Sequence, residues 1–117
     1  MKTVVVLAAA AFALSAGAAN LNAQDAAKVA AGKKVYETQK CATCHAIGGT
    51  GGKLASALDG VGKKLTEADI KKWLTNPAEM ETKLKAKPKM PMSTWLKTHK
   101  QTDADVEALV AYMLSLK

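Results

Sequence analysis

Arginine is absent from this 117-residue chain; all 17 of its basic residues are lysine. Nucleic-acid binders lean on arginine for bidentate contacts to phosphate and base edges. A formal charge of +7 without arginine therefore points away from nucleic acid and toward acidic protein partners met by electrostatic steering. Aromatic residues are almost as scarce, with two Trp, two Tyr and one Phe, and so small a stock of rings makes the core of a short chain marginal. No apolar run approaches the roughly 20 residues of a membrane-spanning helix; the run at 4–14 stops well short. Alternating apolar and polar stretches bounded by turns are missing too, as is any internal repeat, so the expected architecture is all-α.

The chain opens with Met1-Lys2, then the short apolar run, then Ser15, Ala16, Gly17, Ala18 and Ala19. That order is the pattern of a secretory signal peptide. Small-x-small sites at Ala16-Gly17-Ala18 and Leu21-Asn22-Ala23 allow cleavage after residue 18 or after residue 23. The expected division is a signal peptide over 1–23 and one domain over 24–117, with no transmembrane segment in the mature form. Its location would be an oxidising compartment, most simply a bacterial periplasm.

The only two cysteines stand in Cys41-Ala42-Thr43-Cys44-His45, the attachment pattern for haem c. Two thiols separated by two residues can each add to one vinyl group of a haem, giving two thioether bonds. The adjacent imidazole then lies where it can bond iron from one face. The competing readings are weaker: a dithiol oxidoreductase needs a βαβ context, and a tetrahedral zinc site needs four ligands where only Cys41, Cys44, His45 and distant His99 are on offer.

The second axial position of a haem is filled by methionine or histidine, or left open. Met113 falls on the apolar face of the last helix and Met80 in a short helix expected over 77–85, where both read as packing. Met90 and Met92 lie in Lys87-Pro88-Lys89-Met90-Pro91-Met92, which two prolines hold out of helix and stiffen. Met90 is the favoured iron ligand, with Met92 as the alternative and His99 as a minor bis-histidine choice.

Helices are expected over 25–40, from Thr66 with an acid three residues on at Asp69, and from Thr102 with Asp105 in the same relation. The first carries Val29, Gly32 and Tyr36 on one face, the second Ile70, Trp73 and Leu74, the third Val106, Leu109, Val110 and Met113. The Gly48-Gly49-Thr50-Gly51-Gly52 stretch lacks the strand and Gly-Lys-Ser/Thr context of a phosphate loop and reads as a turn around the cofactor edge. Leu54, Leu58 and Val61 are candidate pocket residues in the loop beyond it.

Taken together, these residues resemble class I cytochromes c of the small bacterial periplasmic type, over nearly the whole mature chain. The resemblance implies about four to five short helices wrapped around one covalently bound haem c. It implies that Gly32 and Tyr36 cross Leu109 and Tyr112 where the terminal helices meet, and that Trp73 packs at the haem. Lys89-Met90-Pro91 is similar to the family's methionine-ligand loop and favours Met90. Relatives commonly place Gly-Pro before the leucine at Leu58, the proline carbonyl orienting the proximal histidine. Here Ala55-Ser56 stands there, so a carbonyl remains at Ser56 without proline's stiffness.

The function implied is one-electron transfer without catalysis, to and from acidic redox proteins. A haem subunit of a larger periplasmic oxidoreductase is the alternative, and a gas-binding sensor a more distant one. Lys40, Lys53, Lys63, Lys64, Lys87 and Lys89 flank the haem-proximal segments as a possible docking ring.

Overall fold

A computed structural model describes residues 17–117, with side chains from residue 25 onward; the run on which the signal-peptide reading rests lies outside the described residues. The order of elements is α1 (Gly17–Thr38), a single 3-10 turn (Cys41–Thr43), β1 (Ala46–Ile47), β2 (Thr50–Gly51), α2 (Val61–Lys64), α3 (Glu67–Thr75), α4 (Pro77–Glu81), α5 (Met92–Thr98) and α6 (Asp103–Ser115). The fold is all-α apart from that antiparallel pair of two-residue strands, which joins Ala46 to Gly51 and Ile47 to Thr50.

α1 and α6 form the principal helix–helix contact, and Gly32 makes it possible. A Cβ at Gly32 would overlap the carbonyl of Ala108 and crowd Cβ of Tyr112. With hydrogen in its place the two backbones close up, and Tyr36 meets Tyr112 edge to face, centroids 5.8 Å apart at 71°, an arrangement favoured by the ring quadrupoles. Tyr36, Ile70, Val106, Leu109, Val110 and Met113 form the buried core. Leu109 is 1% exposed, the sort of burial that contributes about 1.5–3 kcal/mol per side chain.

Local chemistry fixes where the helices begin. The Thr66 hydroxyl accepts from the Asp69 amide at 3.2 Å. At α6 the box is complete: Thr102 Oγ1 accepts from Asp105 N at 3.1 Å and Asp105 Oδ2 accepts from Thr102 N at 3.2 Å. Each exchange satisfies amides that a helix start leaves without partners. Pro77 opens α4 at its first turn, where its missing N–H costs nothing. α4 stops at Glu81, short of the expected 85, and α2 and α5 are additional to the expected helices because neither is long enough to display a helical period.

Candidate haem site

α1 ends in a left-handed turn. Lys40 has φ of 57° and is the only residue other than glycine with positive φ among those described, a conformation that costs an L-residue roughly 1–2 kcal/mol. The turn reverses the chain directly into Cys41. There the 3-10 turn closes through Cys44 N to Cys41 O at 3.2 Å and His45 N to Cys41 O at 3.0 Å, so the attachment motif is wound on itself. The strand pair then folds back beneath it. Gly52 N donates to Ala42 O at 2.7 Å, and a Cβ at Gly51, whose φ is 123°, would overlap the His45 carbonyl. The glycine loop therefore packs against the backbone of the motif.

His45 is held at two points. Its Nδ1 lies 2.7 Å from the carbonyl of Ser56. A carbonyl can only accept, so Nδ1 carries the proton and Nε2 keeps its lone pair for a metal. The carbonyl contact made by proline in relatives thus survives at Ser56. The backbone carbonyl of His45 accepts a bond of its own, from the Tyr36 hydroxyl at 3.2 Å, a contact that nothing but the ring's place on α1 foreshadows. Burial, with smaller contributions from Cys41 and Tyr112, pushes the Tyr36 phenol up to about 12, so it donates at any physiological pH.

His45 faces a cavity of about 480 Å³, within the range of roughly 300–1,000 Å³ typical of ligand pockets. Cys41, Leu58, Trp73, Met90 and Met92 all line it, together with Val61, Leu65, Ile70, Leu109 and Met113. The structure thus gathers the expected site residues around one predominantly apolar chamber. Cys44 is half-buried at the close of the 3-10 turn and stands outside this lining. Leu54 departs from expectation: it is 56% exposed, because the chain after the glycine loop turns inward only at Ala55.

Of the methionines, Met80 is buried within α4, and Met113 is buried within the core although it too borders the cavity. Met90 is 47% exposed and Met92 half-buried, and both reach the cavity wall. His99 does not join the lining. Its ring stacks on Trp95 at 3.7 Å and 5°, with Nδ1 against the Trp95 carbonyl at 3.0 Å, which leaves the bis-histidine alternative without geometric support. Glu81, Leu65 and Pro88 also line the cavity and were not singled out by sequence; Glu81 in particular sits in a lysine-rich region with no motif around it.

The residues fit a haem. An apolar chamber, an imidazole whose Nδ1 is held by a carbonyl and whose other nitrogen is turned elsewhere, and a thiol at the edge are the donor set and surroundings of such a group. A redox dithiol fits poorly. Burial pushes the Cys41 thiol up to about 11, whereas attack on a disulfide needs a thiolate favoured near neutral pH. Among the described residues no three His, Cys, Asp or Glu side chains converge as a metal cluster.

The cytochrome c family profile matches residues 29–117. The chain belongs to the cytochrome c family, whose members serve haem-based electron transfer. It is also similar to the cytochrome c oxidase subunit 2 of Alkalihalophilus pseudofirmus, with 29% identity in an alignment of 96 positions that covers 74% of this chain and 25% of that protein. The chain thus corresponds to about a quarter of that relative. No solved structure gives a significant match. Among the described residues, no helix is long and apolar enough to cross a membrane.

Proposed function

We propose that this protein is an exported, periplasmic one-electron carrier holding a single haem c, tethered through thioethers at Cys41 and Cys44 and ligated axially by His45 and Met90, with Met92 the alternative. The observation that carries this reading is His45, fixed by the Ser56 carbonyl at 2.7 Å on one wall of the chamber that Met90 and Met92 also line. Haem bound there supplies reversible one-electron exchange between ferric and ferrous iron. The chain does the rest. His45 would present Nε2 to the iron from a ring held by the Ser56 carbonyl, while its backbone carbonyl is anchored by the Tyr36 hydroxyl. Met90, or Met92 in its place, would supply a thioether to the iron, a ligand that favours the ferrous state. Leu58, Val61, Ile70, Leu109 and Trp73 contribute to the apolar wall of the chamber.

Lys40, Lys53, Lys63, Lys64, Lys87 and Lys89 are all exposed, and Lys64 stands at the cavity itself. They supply a basic rim for acidic donor and acceptor proteins. Transfer to such a partner should slow steeply as salt shortens the Debye length from about 10 Å to about 3 Å; a salt-independent rate would remove the rim from the account. Ligation is tested by spectra of the ferric protein. A far-red methionine-to-iron band that is lost in Met90→Ala and kept in Met92→Ala assigns the ligand. Rapid carbon monoxide binding to the reduced protein at neutral pH would instead mark an open, sensor-type haem.

A second reading has one observation behind it: the relative is an oxidase subunit much longer than the matched segment. The same domain can therefore work in permanent company, as a small haem subunit of a larger oxidoreductase complex. Co-purification with partner subunits from native membranes or periplasm separates this from a free carrier.

A further inference from the structure

Glu81 is the only carboxylate among the residues lining the cavity. It closes α4, whose Pro77 and Met80 are buried and whose Glu79 is tied back to α3 by Lys72 at 2.9 Å and to Asn76 at 3.2 Å. From this anchored base Glu81 reaches across twelve residues to Ser93. Oε1 accepts from Ser93 N at 2.9 Å and Oε2 from the Ser93 hydroxyl at 2.8 Å. Ser93 follows directly on Met90-Pro91-Met92. The residue at the start of α5, Pro91, offers no side-chain cap, so the Glu81 carboxylate supplies that bond from another helix.

The connection it secures has little else to hold it. Residues 82–90 are exposed apart from Pro88, with Leu84 at 43% and Met90 at 47%. Lysines at 83, 85, 87 and 89 repel one another along it. A segment of this kind opens easily, yet a thioether is a weak ligand that must be held close. The two hydrogen bonds to one charged group are of the stronger, charge-assisted kind.

We infer that Glu81 is the positioning residue of the methionine segment: its two-pronged grip on Ser93 holds Met90 and Met92 at the cavity and sets how readily the methionine side of the haem opens to an outside ligand. This rests on the His/Met reading above, and the test separates the two.

The experiment uses the haem-loaded ferric protein and its Glu81→Gln, Glu81→Ala, Ser93→Ala and Glu81→Ala/Ser93→Ala variants, titrated with imidazole while the far-red methionine band is followed. Imidazole binds in proportion to the methionine-off population. Glu81→Ala should tighten apparent imidazole binding by about tenfold or more, the equivalent of one charge-assisted hydrogen bond. Glu81→Gln, which keeps an acceptor for Ser93 N, should fall between it and wild type. The double variant should add little beyond Glu81→Ala, because both changes remove the same grip. Unchanged imidazole affinity, even alongside lowered thermal stability, would overturn the inference, as would fully additive effects of the two single alanine variants. A wild-type ferric protein without the methionine band would fell the ligation reading, and the grip's role with it.

Discussion

Replacing Gly32 by alanine sets two effects of opposite sign against each other. Alanine is the better helix former by about 1 kcal/mol, and Gly32 lies well inside α1, so propensity alone predicts a more stable protein. Packing predicts the reverse. The new Cβ would overlap the Ala108 carbonyl and lie 2.7 Å from Tyr112 Cβ. A backbone oxygen cannot rotate away, so α1 and α6 must separate by on the order of 1 Å to restore van der Waals distance. That separation loosens the Tyr36–Tyr112 ring contact and the cover over Leu109. Overpacking costs about 1–3 kcal/mol, and a fixed backbone oxygen puts this site at the upper end, so that after the gain of about 1 kcal/mol in propensity the net effect is a loss of about 2 kcal/mol. For a domain of this size each kcal/mol moves Tm by roughly 4–8 °C, giving a fall of about 8–16 °C in thermal unfolding of the haem-loaded protein. Ala31→Gly, one position along at an exposed site, is the control and should lose only about 1 kcal/mol. A Gly32→Ala protein as stable as wild type, or more so, would refute the close-crossing argument.

Other outcomes follow from the same contacts. Thr102→Ala removes the side-chain half of the α6 capping box and should lower stability by about 1 kcal/mol, read by urea unfolding at unchanged m-value. Gly51→Ala places a Cβ against the His45 carbonyl at a positive φ; the yield of haem-loaded protein should fall sharply, and a normal yield would show that this turn does not matter to the motif. Tyr36→Phe deletes the bond to the His45 carbonyl at a cost of about 1 kcal/mol and changes the alkaline limb of stability. Because the folded Tyr36 ionises near 12 rather than the usual 10, the unfolded chain loses its phenolic proton first. The contribution is therefore full below pH 10 and lost between pH 10 and 12, at a slope of at most about 1.4 kcal/mol per pH unit. Wild type should show that extra slope and Tyr36→Phe should lack it.

The parts of this molecule that could be read from sequence are those whose chemistry is local or periodic. Thr66 with Asp69 and Thr102 with Asp105 announce helix starts because the capping partners lie three residues apart. The Cys41 to His45 motif is contiguous, and α1, α3 and α6 repeat their apolar residues at helical spacing. What escaped depends on partners distant in the chain or on very short elements. The four residues of α2 and the seven of α5 show no period, and the two-residue strands exist because glycines at 48, 49 and 51 take positive φ, which no apolar alternation signals. Leu54 has the right residue type but falls on the outside of a bend. Glu81 was invisible because Ser93, its partner, is twelve positions away, and the stacking of His99 on Trp95 depends on how α5 ends. The Ser56 carbonyl is an intermediate case: its position matched the family pattern, while the survival of the bond without proline could be learned only from the 2.7 Å contact itself.

The proposed electron transfer requires that the one pair of thiols carry the porphyrin. Intact and peptide mass spectrometry of the natively expressed protein measures this directly. The expected result is a single haem mass on the peptide containing Cys41 and Cys44, retained after acid-acetone extraction as thioether-linked haem must be. A chain without added tetrapyrrole, with both thiols free or joined to each other, would contradict it.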